Sequence, residues 1–363
     1  MEELDPREAG ITPELYLQWR SPRRGRHNPD QMNNPVWEWL VRSRLSAYAA
    51  GQMLQGPSSC EAGPGWCCDR FGQSSTRLPD ERVILIAGEH EDFYDPDFYI
   101  YNDVIVVHPN GAIDIYGYPT EDFPPTDFHS ATLVDNQIVL IGNLGYSEQR
   151  VHGMTQVLLL DTHSFRITAI CPVGSPPGWI HSHLAILSMD RQSITIEKGK
   201  LDRGTGESLS ENIDEWVLHL ADWRWERITR RQWPRWEVVR RDRQPIHLFQ
   251  MQQALWFREA SVKRAMMVEL DFLGEFGRMP ALHLVSELHR PALPHEVLPQ
   301  VEGEFRAFRI LLDGVVVRYV EDIFSVQVTV EGELPPHTLE ALQADLVQKM
   351  SMLENTSCEL LPI

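Results

Sequence analysis

Three stretches in the middle of the chain echo one another at a spacing of between fifty and sixty residues. Phe71-Gly72-Gln73-Ser74, Phe128-His129-Ser130 and Ile180-His181-Ser182 each open a unit. An apolar strand follows in each and ends near a glycine, at 83–88, 138–142 and 194–199. After a polar loop comes a second strand, at 104–107, 157–160 and 216–220, and each unit closes on a bulky residue, Ile113, Phe165 or Trp225. The openings Gln73, His129 and His181 are 56 and 52 residues apart. A period this long marks a small sheet repeated along the chain, and it constrains the fold more than any other feature.

Composition sets the frame around that repeat. The 363 residues are 42% hydrophobic and 23% charged, values of a globular chain long enough for two or three domains. The longest apolar runs fall short of the eighteen or so residues a membrane helix needs. Met1-Glu2-Glu3-Leu4-Asp5 is acidic and unlike a secretory signal, and five cysteines without ligand spacing argue against a disulfide framework. The expectation is a cytoplasmic protein with reduced thiols, in which the vicinal Cys67-Cys68 beside Trp66 is packed rather than redox-active. The net charge of −19 is uneven: residues 61–126 hold thirteen acids against three bases. Such a field repels nucleic acid and favours a basic partner.

Residues 1–30 are polar and rich in arginine and proline, with Arg20, Arg23, Arg24 and Arg26 close together, and read as a loosely ordered leader. Asn34-Pro35 reads as a helix start, and Trp37, Leu40, Val41, Leu45 and Tyr48 share one helical face. Residues 1–60 thus form a leader and helix, and 61–230 a β domain of alternating strands and turn clusters. Residues 231–300 read as a helical connector, opening with an Arg/Trp stretch from Arg227 to Arg243 and continuing as one helix over 246–273. That stretch has the composition of a nucleic-acid surface, but interleaved Glu226, Glu237 and Asp242 favour a self-paired connector. Residues 301–363 read as an α+β module of order βββαβ, with Asp313-Gly314 as a two-residue hairpin turn.

The order of a polar His-Ser opening strand, an apolar strand ending in glycine, a variable loop, a strand such as Val157-Leu158-Leu159-Leu160-Asp161 and a closing aromatic such as Trp225 resembles the kelch repeat of β-propellers. It spans about 160 residues and is degenerate: the paired glycines of kelch stand here as Ala87-Gly88, Ile141-Gly142 and Lys198-Gly199. The resemblance implies a mainly β fold of three kelch-like blades, a partial propeller, with the N-terminal helix and C-terminal module attached. It also implies that His-Ser pairs hydrogen-bond inside a blade. Three blades are too few to close a ring, so flanking segments must cover the exposed sheet, or a second chain must complete it as a homodimer.

The run from Glu89 to Asp103 has the most unusual local composition. Its residues Glu89, His90, Glu91, Asp92, Phe93, Tyr94, Asp95, Asp97 and Tyr99, with Tyr146 from the equivalent loop of the second unit, form the expected partner-binding face. Carboxylates steer a basic partner and aromatics anchor it. The third equivalent loop, from Lys198 to Gly206, is rich in glycine but lacks the Gly-Lys-Ser/Thr register of a phosphate loop. No catalytic motif, metal-ligand spacing or cofactor fingerprint is present in the sequence. The expectation is a non-catalytic protein that binds a basic protein, such as an inhibitor or immunity-type protein. One alternative is a metal- or small-molecule-binding enzyme centred on His90, His129 and His181. Another is an assembly protein that pairs two half-propellers.

Overall fold

Each unit of the echo is an antiparallel meander of four strands. The first sheet runs β1 (Ser74–Arg77), β2 (Val83–Ile86), β3 (Asp103–Val107) and β4 (Ile113–Gly117). The second runs β5 (Ser130–Val134), β6 (Gln137–Ile141), β7 (Val157–Asp161) and β8 (Ile167–Ala169). The third runs β9 (Leu184–Leu187), β10 (Ser193–Glu197), β11 (Trp216–His219) and β12 (Arg224–Arg227). The computed structural model describes residues 5–91, 95–204, 209–277, 279–301, 304 and 306–363. It divides into one unit of residues 1–205 with 211–230 and a second of 206–210 with 231–363. Among the described residues no sheet closes on itself, and no helix is long and apolar enough to cross a membrane.

Strand composition in the first unit follows from which faces are covered. Ile84, Ile86, Val104 and Val106 of the first sheet pack against Ile138, Leu140, Leu158 and Leu160 of the second. Val139, Ile141, Val157 and Leu159 point the other way, against Ile194, Ile196, Trp216, Leu218 and Trp225 of the third. A strand stretch buried on both faces is apolar at successive positions, so β2 reads Val-Ile-Leu-Ile and β6 reads Ile-Val-Leu-Ile after the exposed Gln137. In the third sheet β10 alternates as Ser-Ile-Thr-Ile-Glu, because only the isoleucines are covered.

The leader is ordered, contrary to its composition. Helices α1 (Pro13–Trp19), α2 (Pro35–Ser43) and α3 (Ala47–Met53) place Ile11, Tyr16, Val36, Trp37, Leu40 and Ala50 over Leu85, Ile105 and Ile115, the outer face of the first sheet. Trp37 stacks on Trp66 with ring centroids 4.9 Å apart. As expected, Pro35 begins α2 and the Asn34 side chain caps it, accepting from the N–H groups of Val36 and Trp37 at 3.0 and 3.1 Å. Buried Arg20 ties the leader down by donating to the carbonyls of Ala62 and Gly63. Flanking segments also pair the outer edges. Asp30–Gln31 joins β4, Val173–Gly174 joins β12 in parallel, and the Asn28 amide bonds both the carbonyl and the N–H of Ile167 on β8.

A backbone thread links the three sheets at their opening residues. The Phe128 N–H donates to the Gly72 carbonyl at 2.9 Å, and the Ser182 N–H donates to the Phe128 carbonyl at 2.8 Å. All three residues are left-handed, with φ of +61°, +48° and +53°. A Cβ at Gly72 would lie 2.4 Å from the Phe128 nitrogen, which explains the glycine. This thread corrects the alignment read from sequence: Gln73 and His129 correspond to His183, not His181. The His-Ser bonds also differ from expectation, because they join neighbouring sheets rather than lying inside one. Ser74 Oγ meets His129 Nε2 at 2.8 Å, and Ser130 Oγ meets His183 Nε2 at 2.8 Å.

The second unit holds a sheet in the order Glu296–Val297, β14 (Ala307–Leu312), β15 (Val315–Glu321), β16 (Ser325–Val330), β13 (Arg235–Arg240) and β17 (Cys358–Pro362). Asp313 and Gly314 both take positive φ at the expected hairpin. The Arg/Trp stretch is therefore a central strand, with Trp236 and Val238 buried. The expected 246–273 helix is two, α4 (Leu248–Ala260) and α5 (Val262–Phe276), divided at Ser261, whose φ of −161° is extended. These helices and α6 (Pro336–Leu353) share one core with the sheet, through Leu248, Met251, Phe272, Leu342 and Leu346. Connector and α+β module thus share one hydrophobic core.

Candidate functional site

The acidic run of the first unit folds back on itself as a short hairpin, with Glu89–His90 paired to Tyr99–Ile100. A buried cluster holds its base. Arg70 forks onto Asp103, Nη1 to Oδ1 at 2.5 Å and Nη2 to Oδ2 at 3.0 Å, while Trp66 Nε1 donates to Asp103 Oδ2 at 2.8 Å. The guanidinium also lies 3.4 Å from the centre of the Tyr101 ring. Beside this cluster burial pushes the Cys67 thiol up to about 11, so the vicinal cysteines are protonated, packed groups.

The three equivalent loops of the first unit meet. Phe98 sets its edge against Tyr146 at 5.7 Å, and the Ile100 N–H donates to Tyr146 Oη at 3.0 Å. Arg150 of the second loop reaches Asp202 of the third at 3.5 Å, and Trp179 Nε1 donates to the Leu144 carbonyl at 3.0 Å. At the junction Asp127 is completely buried. Its Oδ1 accepts the Gly145 N–H at 2.7 Å and its own N–H donates to Asn143 Oδ1 at 3.0 Å. Burial holds its carboxyl above the usual carboxylate range, against the Gly145 N–H and the Glu89 side chain, which favour the charged form. Sequence reasoning missed Asp127; its signal is its place just before Phe128 in the repeat.

The ten residues of the expected binding face divide by environment. Asp92, Phe93 and Tyr94 lie outside the described residues. Tyr146 serves inside the loop cluster, and half-buried Tyr99 packs its edge against Tyr101 at 4.9 Å. Tyr146 thus joins two loops, while Tyr99 packs within its own. Among the acids, Glu89 lies beside Asp127, Glu91 sits 3.2 Å from His90 Nε2, and Asp97 accepts the Gly65 N–H at 3.3 Å. Asp95 is half-buried beside the exposed Pro96.

The histidines do not gather. Among the described residues no group of three His, Cys, Asp or Glu side chains is placed to hold a metal ion. His129 and His183 face serines across sheets, and His181 Nδ1 meets Ser182 Oγ at 3.0 Å. Burial pushes His129 and His181 down to about 3 and His183 to about 4, so all three are neutral in the fold. Burial likewise lowers His90, against the opposing pull of Glu91. In the Arg/Trp stretch Arg240 pairs with Asp242 and Glu354, and Arg243 with Glu359.

No family model matches the chain, and no curated protein matches it. Among solved structures, that of YjhT aligns with a TM-score of 0.30 and 9% identity, covering 75% of this chain and 69% of that one.

Proposed function

We propose that this chain is a non-catalytic, kelch-like binding protein whose joined loop face engages a basic protein partner, in the manner of an inhibitor or immunity-type protein. The carrying observation is the meeting of the three loops through Phe98, Tyr146, Arg150 and Asp202, within a chain whose residues 61–126 carry thirteen acids against three bases. Loops fixed to a rigid sheet scaffold commonly carry recognition. Glu91, Asp95 and Asp97 supply a negative field that speeds encounter with a cationic surface and loses strength as salt rises. All five cysteines are free, which supports a reducing, cytoplasmic setting.

The test compares partner capture by the wild-type chain and by a Glu91→Gln, Asp95→Asn, Asp97→Asn variant, with bound proteins identified by mass spectrometry. We expect a basic protein that is retained at low salt and loses at least about tenfold in affinity to the variant. Equal retention by both chains overturns the reading.

A further inference from the structure

The arginines of the leader are not explained by an acidic binding face. Residues 19–37 enclose a cavity of about 320 Å³ whose wall includes Arg23, Arg24, Arg26, Trp19 and Trp37. The chain carries fifty-two acids against thirty-three lysines and arginines, yet among the described residues none of these three guanidinium groups pairs with a carboxylate. Arg23 donates to the Gln18 carbonyl and lies 4.3 Å from the centre of the Trp19 ring. Arg24 donates to Thr120 Oγ1 at 2.9 Å. Asp30, the one carboxylate in the wall, accepts the backbone N–H of Arg26 at 3.0 Å.

Two other polar groups of the wall are engaged. Asn34 Oδ1 caps α2 while its Nδ2 donates to the Trp19 carbonyl, and the Gln31 amide donates to Asp114. A second, independent observation is the indole of Trp37. The residue is completely buried, and its Nε1–H meets no acceptor. A buried donor without an acceptor costs about 1–3 kcal/mol. Three arginine side chains thus line one cavity with a single carboxylate, Asp30, and the buried indole of Trp37 lies in the same wall.

We propose that this cavity binds a small phosphate ester or pyrophosphate-type ligand. A carboxylate offers two oxygens, whereas a phosphate dianion presents three, enough to take forks from several arginines at once. The volume is within the range of small-molecule sites, leaving room for the group that carries the phosphate.

The experiment titrates the full chain calorimetrically with pyrophosphate and with AMP at fixed ionic strength, beside pentaglutamate as an acidic-peptide control. Both phosphates should bind and raise the melting temperature, and Arg26→Gln should weaken binding by about tenfold, the loss of one charge-assisted contact. The triple Arg23→Gln, Arg24→Gln, Arg26→Gln variant should abolish it. Arg26 is an exposed residue, so its variant keeps the test open if the triple variant fails to fold. The proposal is overturned if neither phosphate gives heat or thermal shift at millimolar concentration. It is equally overturned if Arg26→Gln binds as wild type, or if pentaglutamate displaces pyrophosphate at equal concentration.

Discussion

The outer faces of the first and third sheets solve one problem in opposite ways. Both belong to terminal members of the three-sheet stack of the first unit, so among its described residues each has a neighbouring repeat sheet on one side. On the first, Leu85, Ile105 and Ile115 are apolar and lie under Trp37 and the leader helices. On the third, the outward positions of β10 are the half-buried Ser193, Thr195 and Glu197, beside Leu184 and Ile186 at 47% and 52% exposure. A repeat can therefore end by recruiting a cover or by becoming amphipathic, and this chain does one at each end.

The comparison breaks most sharply at Trp37. Trp37→Ala removes a stacked, fully buried indole from the cover and should cost about 3–5 kcal/mol in denaturant unfolding. A loss below about 1 kcal/mol would mean that the leader is not a true cap. Acid should act on the interior of the stack. His129, His181 and His183 are held neutral, at about 3, 3 and 4, whereas an unfolded histidine titrates near ~6.5. Their stabilising contribution is complete above the unfolded value and is lost as pH falls through the window between ~6.5 and the folded values. With three protons at ~1.4 kcal/mol each, stability should fall by up to ~4 kcal/mol per pH unit below about pH 6. A Tm flat between pH 6.5 and 5 would contradict this.

Gly142→Ala places a Cβ 2.3 Å from the Ile180 carbonyl oxygen at a φ of +78°, forcing the second and third sheets apart. It should cost about 2–4 kcal/mol, measured by chemical unfolding. Ser74→Ala leaves His129 Nε2 without its partner across the first two sheets and should cost about 1–2 kcal/mol in the same assay. Ile186→Thr, on the uncovered face, should change stability by less than about 0.5 kcal/mol. If it costs as much as Trp37→Ala, the two ends are not different in kind.

Much of this asymmetry is legible in the sequence. The unbroken apolar run Val83-Ile84-Leu85-Ile86 and the alternation Ser193-Ile194-Thr195-Ile196-Glu197 already distinguish sheets covered on two faces from a sheet covered on one. The start of α2 and the hairpin at Asp313-Gly314 are also legible, because both depend on local backbone chemistry. The alignment of the third unit is not. What Gly72, Phe128 and Ser182 share is a left-handed backbone, which three unlike side chains do not announce, and His181 and His183 both offer themselves as the repeat histidine. The leader misleads because its order comes from distant partners of Ile11 and Tyr16, while its own composition is polar. In the loop cluster the unusual run from Glu89 to Asp103 stands out in the sequence. That Asp103 turns inward to Arg70 depends on a contact 33 residues away.

The thread through Gly72, Phe128 and Ser182 is one half of a clasp. The N–H groups of Phe128 and Ser182 reach back to carbonyls of the unit before each, while those of Gly88 and Asn143 reach forward to the carbonyls of Thr126 and Ile180. Neighbouring units are tied in both senses, so neither slides along the other without breaking backbone bonds on both sides.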